Sequence, residues 1–207
     1  MPEWQQPRNS HTRNSKKQTV TESVAVFCFE RIHMINFRKA EKNDLESILG
    51  IGEDAKRRLK ELGTSQWQKG YPGREDWLLG INRGEAVIAE KDGVTAGVFC
   101  ITVEPEDTYD SIKGTWLTGE KDAYITLHRM CVSGEYLRKG IGTEIIRYVT
   151  EKGKEKGLSS VRTDTHPLNT PMRNLLEKEG FSLCGSLILT YGPEKGDGRE
   201  GYEKLIK

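Results

Sequence analysis

The segment Glu135-Tyr136-Leu137-Arg138-Lys139-Gly140-Ile141-Gly142-Thr143 decides how this chain folds and what it can bind. Two glycines in a strand-to-helix connection let the backbone turn tightly and leave successive N–H groups uncovered at a helix start. The helix dipole adds partial positive charge there, and Arg138 and Lys139 add full charges that can pair with phosphate oxygens. The segment therefore predicts a pyrophosphate-binding turn.

Three interpretations of this turn compete: a plain glycine turn, a dinucleotide site, and a coenzyme A pyrophosphate site. The dinucleotide fingerprint requires a third small residue where Ile145 stands, although Asp164, about 20 residues further on, suits its acidic partner. A P-loop is excluded because no Gly-Lys-Ser/Thr follows at the required spacing. The coenzyme A interpretation fits best, and a nicotinamide-dependent oxidoreductase is the alternative from a different class.

The whole-chain composition is typical of one globular domain. Its 32 basic and 31 acidic residues leave a formal net charge of +1, so no global field attracts nucleic acid or an acidic membrane surface. The polar composition of residues 1–33 predicts a disordered leader. The domain itself is expected over residues 34–207, with Met34 as a candidate start. No apolar run reaches membrane-spanning length, and no secretory signal is recognisable. Four widely spaced cysteines predict neither a metal site nor a redox motif, and favour the cytoplasm.

The order of predicted elements indicates a mixed α/β (α+β) domain. A strand over 123–132, a helix over 142–156 and a strand over 158–165 predict a right-handed parallel crossover. The Asp92-Gly93 pair between two apolar runs predicts an antiparallel hairpin.

The remaining helices are predicted from apolar spacing and end signals. Near the start of the domain, the pattern gives separate helical segments over 42–49 and 54–62. Thr170 is the expected cap of a last helix that has Pro171 at its first position.

Residues 132–143 and 169–181 resemble the coenzyme A-binding core of the GNAT N-acetyltransferase superfamily, a likeness that covers residues 34–207. The resemblance implies a mostly antiparallel mixed sheet, flanked by helices, in which strands 123–132 and 158–165 splay apart to admit the pantetheine arm. It also implies acetyl-CoA as cofactor and no metal. By resemblance, the cofactor-binding residues are Met130, Cys131, Val132, Arg138, Lys139, Gly140, Ile141, Gly142, Thr143 and Asn169.

The chain departs from the family pattern at two positions. Leu137 stands where the motif has Gln or Arg, and Arg138 follows it; phosphate contacts by backbone N–H groups survive this change. In many members a tyrosine four residues before the Gly-Phe pair protonates the departing thiolate, whereas this chain has Leu176. Solvent, Tyr124 or another group must then act as the acid. A non-catalytic acyl-CoA sensor is therefore a second alternative.

Transfer to an amine requires a base, because alkylamines are mostly protonated at neutral pH. His128 is the first candidate, and in a regular strand it shares a face with Thr126 and Met130. The alternative is a buried histidine with a structural role. His166 is a second candidate, and Asp164 is placed to orient either imidazole.

Three aromatic residues in loops, Trp67, Tyr71 and Trp116, are predicted to wall an acceptor pocket. We thus expect an enzyme that transfers an acetyl group from acetyl-CoA to a primary amine by direct attack in a ternary complex. The expected partner is a small-molecule or peptide amine, with a homodimer allowed, and neither nucleic acid nor membrane.

Overall fold

The computed structural model describes residues 35–119 and 121–206, which form an eight-stranded sheet with helices on both faces. The predicted leader, together with Cys28 and Met34, lies outside these residues. The strands are β1 (Asn36–Lys39), β2 (Ala86–Lys91), β3 (Val94–Thr102), β4 (Lys113–Gly114), β5 (Tyr124–Val132), β6 (Ser160–Thr165), β7 (Ser182–Ile188) and β8 (Gly198–Leu205). The helices are α1 (Leu45–Glu61), α2 (Arg74–Asn82), α3 (Ile141–Glu155) and α4 (Thr170–Lys178).

The strand order across the sheet is β1-β2-β3-β5-β6-β8-β7-β4. In the described part of the chain β5 and β6 run parallel, and every other neighbouring pair runs antiparallel. The predicted fold class and the crossover through α3 are therefore confirmed. This sheet is not the doubly wound parallel sheet that the dinucleotide alternative requires.

The hairpin between β2 and β3 turns where the sequence predicted it. Asp92 and Gly93 have φ angles of 54° and 76°, the left-handed pair of a type I′ turn. At the start of α4, by contrast, the side chain of Asn169 accepts the N–H of Met172, so Asn169 is the cap and the prediction of Thr170 is wrong by one residue.

Helix α1 is continuous where the sequence predicted two segments. The interruption that the pattern suggested lies at Gly50 and Gly52, both inside the helix. A Cβ on Gly52 would lie 3.5 Å from the indole nitrogen of Trp77, an ordinary contact distance, so this position of α1 faces α2. None of the helices in the described ranges has the length and apolar character needed to cross a membrane.

Two hydrophobic clusters cover the two faces of the sheet. The first lies beneath α3 and α4 and includes Phe99, Ile125, Leu127, Ile145 and Leu176. The second lies beneath α1 and α2 and includes Ile48, Trp77, Ile88, Val98 and Cys131. The central strands contribute alternate residues to both clusters, which fixes them rigidly between the helix layers.

Strand β5 contains a β-bulge next to the predicted site. Cys100 pairs with His128 and Val98 pairs with Cys131, so three steps along β5 oppose two along β3. The extra residue changes the local backbone, and Arg129 adopts a left-handed φ of 52°.

The bulge reverses the alternation of side chains along β5. Leu127 belongs to the cluster beneath α3 and α4, and Met130 packs against that same cluster, whereas Cys131 belongs to the other one. Because His128 follows Leu127 in the regular part of the strand, it points to the face opposite Met130. The expectation that His128 and Met130 share a face is therefore wrong.

Candidate active site

Strands β5 and β6 separate soon after they begin to pair. Their parallel ladder joins Tyr124 to Ser160, Ile125 to Val161 and Thr126 to Arg162. At the next position the hydroxyl of Thr163 donates to the carbonyl of Leu127 at 2.8 Å, so a side chain takes over where backbone pairing ends. The splayed pair that the sequence predicted is thus confirmed.

The glycine turn lies at the start of α3. Gly140 has a left-handed φ of 85° and Arg138 one of 58°. The first intrahelical bond joins the Glu144 N–H to the Gly140 carbonyl, so the N–H groups over 141–143 have no earlier turn to donate to. An alanine Cβ at position 140 would have no atom within 4 Å, so the backbone there is open to a ligand. This cradle fits an anionic pyrophosphate.

A cavity of about 860 Å³ is lined by both splayed strands, the glycine turn, α4 and the loop before α2. The predicted site residues among its lining are Trp67, Tyr71, His128, Met130, Cys131, Val132, Arg138, Gly140, Ile141, Gly142, Thr143, Asp164 and Asn169. The structure brings this set together around one space, although the residues are spread over a hundred positions of sequence.

Three predicted residues are not part of this lining. Trp116 does not line the cavity, which corrects its assignment to the pocket wall; its ring instead lies 4.4 Å from the guanidinium carbon of Arg162. The ammonium of Lys139 lies 5.4 Å from the centre of the Tyr136 ring. His166 uses its Nδ1 to accept the N–H of Leu168, as a turn-stabilising histidine does.

Glu106 faces His128 in the cavity, and the sequence analysis missed it. Its Oε2 lies 3.5 Å from Nε2 of His128, and the hydroxyl of Tyr191 donates to the carboxylate at 2.8 Å. Burial alone would raise the pKa of Glu106, but hydrogen bonding from His128 and Tyr191 outweighs it, so the pKa is lowered. The carboxylate is therefore charged at neutral pH.

Asp164 lies at the centre of a second polar group. Its Oδ1 accepts the hydroxyl of Tyr109 at 2.9 Å, and its Oδ2 lies 3.9 Å from Nε of Arg199. Arg199 in turn donates to Glu194 at 2.8 Å, and both are almost completely buried. Burial raises the pKa of Asp164, and the charges of His128 and Arg199 only partly oppose this.

Gln66 connects the loop before α2 to the end of β6. Its Oε1 accepts the N–H of His166 and the amide of Asn169, each at 3.3 Å. The same amide of Asn169 donates to the hydroxyl of Thr165 at 3.0 Å. The side chain of Asn169 is thus fixed by the hydrogen bond with which it caps α4 and by its contact with this loop, and it also lines the cavity.

The bulge residue Arg129 holds a second part of the same loop. Its Nε donates to the hydroxyl of Tyr71 at 2.8 Å, and its Nη1 donates to the carbonyl of Asp76 at 2.8 Å. The guanidinium carbon lies 5.5 Å from the centre of the Tyr71 ring and 5.9 Å from that of Trp77. Arg129 therefore holds the aromatic rings of Tyr71 and Trp77 next to the bulge.

The residues that sequence reasoning missed are far apart along the chain. Glu106 follows β3, while Tyr191, Glu194 and Arg199 belong to the hairpin of β7 and β8. No motif spacing connects them, and the one available signal was the acidic and aromatic content of their loops.

The comparisons with known proteins agree with this geometry. The model of the acetyltransferase (GNAT) family matches residues 53–181. A GNAT-family acetyltransferase structure from Streptococcus agalactiae 2603 is 29% identical, with a TM-score of 0.75, and the match covers 85% of this chain and 98% of that one. The uncharacterized N-acetyltransferase YesJ of Bacillus subtilis (strain 168) is 21% identical over 145 residues, 69% of this chain and 79% of YesJ.

A more distant structure shares the fold. The PaiA N-acetyltransferase from Thermoplasma acidophilum, solved in complex with coenzyme A, is 18% identical with a TM-score of 0.61, and the match covers 83% of this chain and 99% of PaiA. Because the family model covers more than half of the chain, and because the splayed strands and glycine turn have the expected geometry, the family is established. This chain belongs to the acetyltransferase (GNAT) family, whose members transfer an acyl group from coenzyme A to an amine.

Proposed function

We propose that the chain transfers an acetyl group from acetyl-CoA to a primary amine by direct attack in a ternary complex. The observation that carries this proposal is one cavity that contains both the glycine turn and the facing pair His128 and Glu106. Donor and acceptor can occupy such a space together. Acetyl-CoA supplies the activated acyl group when it is bound.

The donor half of the cavity has the groups that hold coenzyme A. The uncovered backbone N–H groups over 141–143 and the guanidinium of Arg138 bind the pyrophosphate. The backbone over 130–132 pairs with the pantetheine arm and polarises the thioester carbonyl. Asn169 lines the path of the arm from its position at the start of α4.

His128 removes the proton from the acceptor amine. The negative charge of Glu106 beside Nε2 favours the tautomer with its proton on that nitrogen, which leaves Nδ1 as the basic atom. Glu106 also stabilises the imidazolium that forms. Tyr191 fixes the carboxylate in turn.

Direct attack is favoured over an acyl-cysteine route. Burial raises the pKa of the Cys131 thiol to about 12, so the thiol stays protonated at neutral pH and is a poor nucleophile. The attacking atom is then the amine nitrogen itself.

The acceptor is a small-molecule or peptide primary amine. The acceptor end combines the aromatic side chains of Trp67 and Tyr71 with the carboxylate of Glu106. Aromatic faces and negative charge both suit an amine. We place this reaction in the cytoplasm.

Ligand titration and a thiol-release assay test the proposed function. Calorimetry should show binding of coenzyme A and no binding of NAD, and acetyl-CoA should release thiol with one or more members of a panel of alkylamines, diamines, amino acids and peptides. Binding of coenzyme A without thiol release from any amine would instead indicate an acyl-CoA sensor, the alternative that Leu176 favours.

The two histidines provide the test of the base. We expect His128→Gln to lower kcat by about a hundredfold or more and to remove the acidic limb of the pH–rate profile. His166→Gln is the matched comparison, since that imidazole is bound to the Leu168 N–H. An unchanged kcat and profile in His128→Gln would overturn the assignment.

A further inference from the structure

Position 176 cannot supply the proton that a departing thiolate takes. Leu176 has no exposed surface and belongs to the hydrophobic cluster beneath α3 and α4. If the enzyme uses general-acid catalysis, another group that lines the cavity must supply this proton.

Four tyrosines line the cavity, and three of them are unsuitable. Tyr109 donates its proton to Asp164, and Tyr191 donates its proton to Glu106, so each hydroxyl hydrogen is already bound to a carboxylate. Tyr136 lies in the glycine-turn segment beside Lys139, at the pyrophosphate end of the cavity.

Tyr71 is the fourth, and its hydroxyl differs from the others. It accepts a hydrogen bond from Nε of Arg129 at 2.8 Å, and no acceptor for its own proton is found within residues 35–119 and 121–206. Arg129 is fixed by the Asp76 carbonyl and is the direct neighbour of Met130, whose backbone lies on the proposed pantetheine path. The phenol is thus held by a cation beside the bulge with its proton available.

The charge of Arg129 suits a proton donor. Burial raises the pKa of Tyr71, and the charge and hydrogen bond of Arg129 oppose that rise by stabilising the phenolate. The other titratable groups that face the hydroxyl are Cys100 on β3, Asp76 on α2 and Tyr191 in the hairpin loop. Burial would likewise raise the pKa of the coenzyme A thiol in the same cavity, so transfer of the Tyr71 proton to the thiolate remains feasible.

We propose that Tyr71 is the general acid that protonates the coenzyme A thiolate, an inference that rests on the proposed function. The acceptor ammonium first loses one proton to solvent through His128. As the C–N bond then forms and the C–S bond breaks, a second nitrogen proton goes to His128 and the Tyr71 proton goes to sulfur. The phenolate then regains a proton from the imidazolium, directly or through solvent. One proton leaves nitrogen and one reaches sulfur, so the step balances.

Tyr71→Phe and a matched control test this role. Tyr202 also accepts a hydrogen bond from an arginine Nε, that of Arg173 at 3.1 Å, but it is not among the cavity-lining residues. We expect Tyr71→Phe to lower kcat by about a hundredfold, with KM for acetyl-CoA and the calorimetric affinity for coenzyme A unchanged, and Tyr202→Phe to retain kcat.

A second measurement covers the case in which Tyr71→Phe does not fold. Replacing Tyr71 with 3,5-difluorotyrosine keeps the ring and hydroxyl but makes the phenol more acidic. Because an acid catalyst must be protonated, kcat falls as pH rises through its pKa, so the difluoro enzyme should lose activity at lower pH than wild type. An alkaline limb that does not move would overturn the proposal.

The outcomes separate this inference from the proposed function. Suppose that the wild-type enzyme releases thiol. If Tyr71→Phe then has the same kcat, or if only its KM for the acceptor is raised, the acid role is refuted and the acetyltransferase function stands. Absence of thiol release in the wild type refutes both.

Discussion

Alanine at Gly140 tests whether the coenzyme A turn depends on its left-handed backbone. Gly140 has a φ of 85°, and no atom lies within 4 Å of the position that a Cβ would take, so the cost of alanine is conformational and not steric. A left-handed non-glycine residue costs about 1–2 kcal/mol. If the free variant relaxes away from this φ, binding must restore it, and coenzyme A should bind about 5- to 30-fold more weakly.

Gly142→Ala should act by a different route. Its Cβ would approach Leu175 Cδ2 to 2.7 Å and Met130 Cε to 3.1 Å, so the methyl crowds α4 against β5. Both atoms end flexible side chains that can shift, so the loss in the free energy of unfolding should lie at or below the low end of the about 1–3 kcal/mol typical of overpacking. The two glycines therefore differ: alanine at 140 is opposed by the backbone angle, and alanine at 142 by contact with two neighbouring side chains.

Urea unfolding and calorimetric titration with coenzyme A measure both effects. Gly50→Ala is the control, because Gly50 is exposed inside α1 with no atom within 4 Å of its Cβ position, and alanine there should raise the free energy of unfolding by about 1 kcal/mol. If Gly140→Ala matched Gly50→Ala in both stability and coenzyme A affinity, the left-handed backbone would have no role and the reasoning would fail.

Two further predictions concern buried carboxylates. Because burial raises the pKa of Asp164, its ionisation opposes folding as pH rises above its usual 3.8, so Asp164→Asn, which can still accept from Tyr109, should lose less stability than wild type between acidic and neutral pH in urea unfolding. Glu203 is fully buried, and its carboxylate lies 2.9 Å from Nε of Arg162, so Glu203→Gln should lower the free energy of unfolding by about 3–5 kcal/mol. The partly exposed Glu144 pairs with Arg147, and Glu144→Gln should change the free energy of unfolding by less than about 1 kcal/mol; similar losses in both variants would contradict the argument.

The features that the sequence predicted correctly depend on short stretches of chain. The Asp92-Gly93 turn and the glycine turn at the start of α3 are specified by residues that tolerate left-handed backbone, and such signals are local. The crossover from β5 to β6 follows from element order and the handedness rule. These features could be derived without any partner strand.

The features that the sequence did not reveal depend on distant partners. The bulge at Arg129 is defined by the register of β5 against β3, and the sequence of β5 alone contains no signal for it. Glu106 reaches His128, and Tyr191 reaches Glu106, only because the sheet order brings their loops to one end of the splayed strands. The continuity of α1 through Gly52 likewise accompanies burial of that glycine against α2, which the helix's own sequence does not reveal.

The bulge in β5 adds one residue, so the same face of the strand is odd-numbered before it and even-numbered after it. Upstream of it, odd-numbered positions such as Leu127 contribute to the cluster beneath α3 and α4; downstream, odd-numbered Cys131 contributes to the cluster beneath α1 and α2. Removing Arg129 would leave Leu127 and Met130 on one face and His128 and Cys131 on the other, which is the alternation of a regular strand, so the downstream residues would keep their helix layers. Homologous strands that lack the bulge should therefore align with a one-residue gap at Arg129.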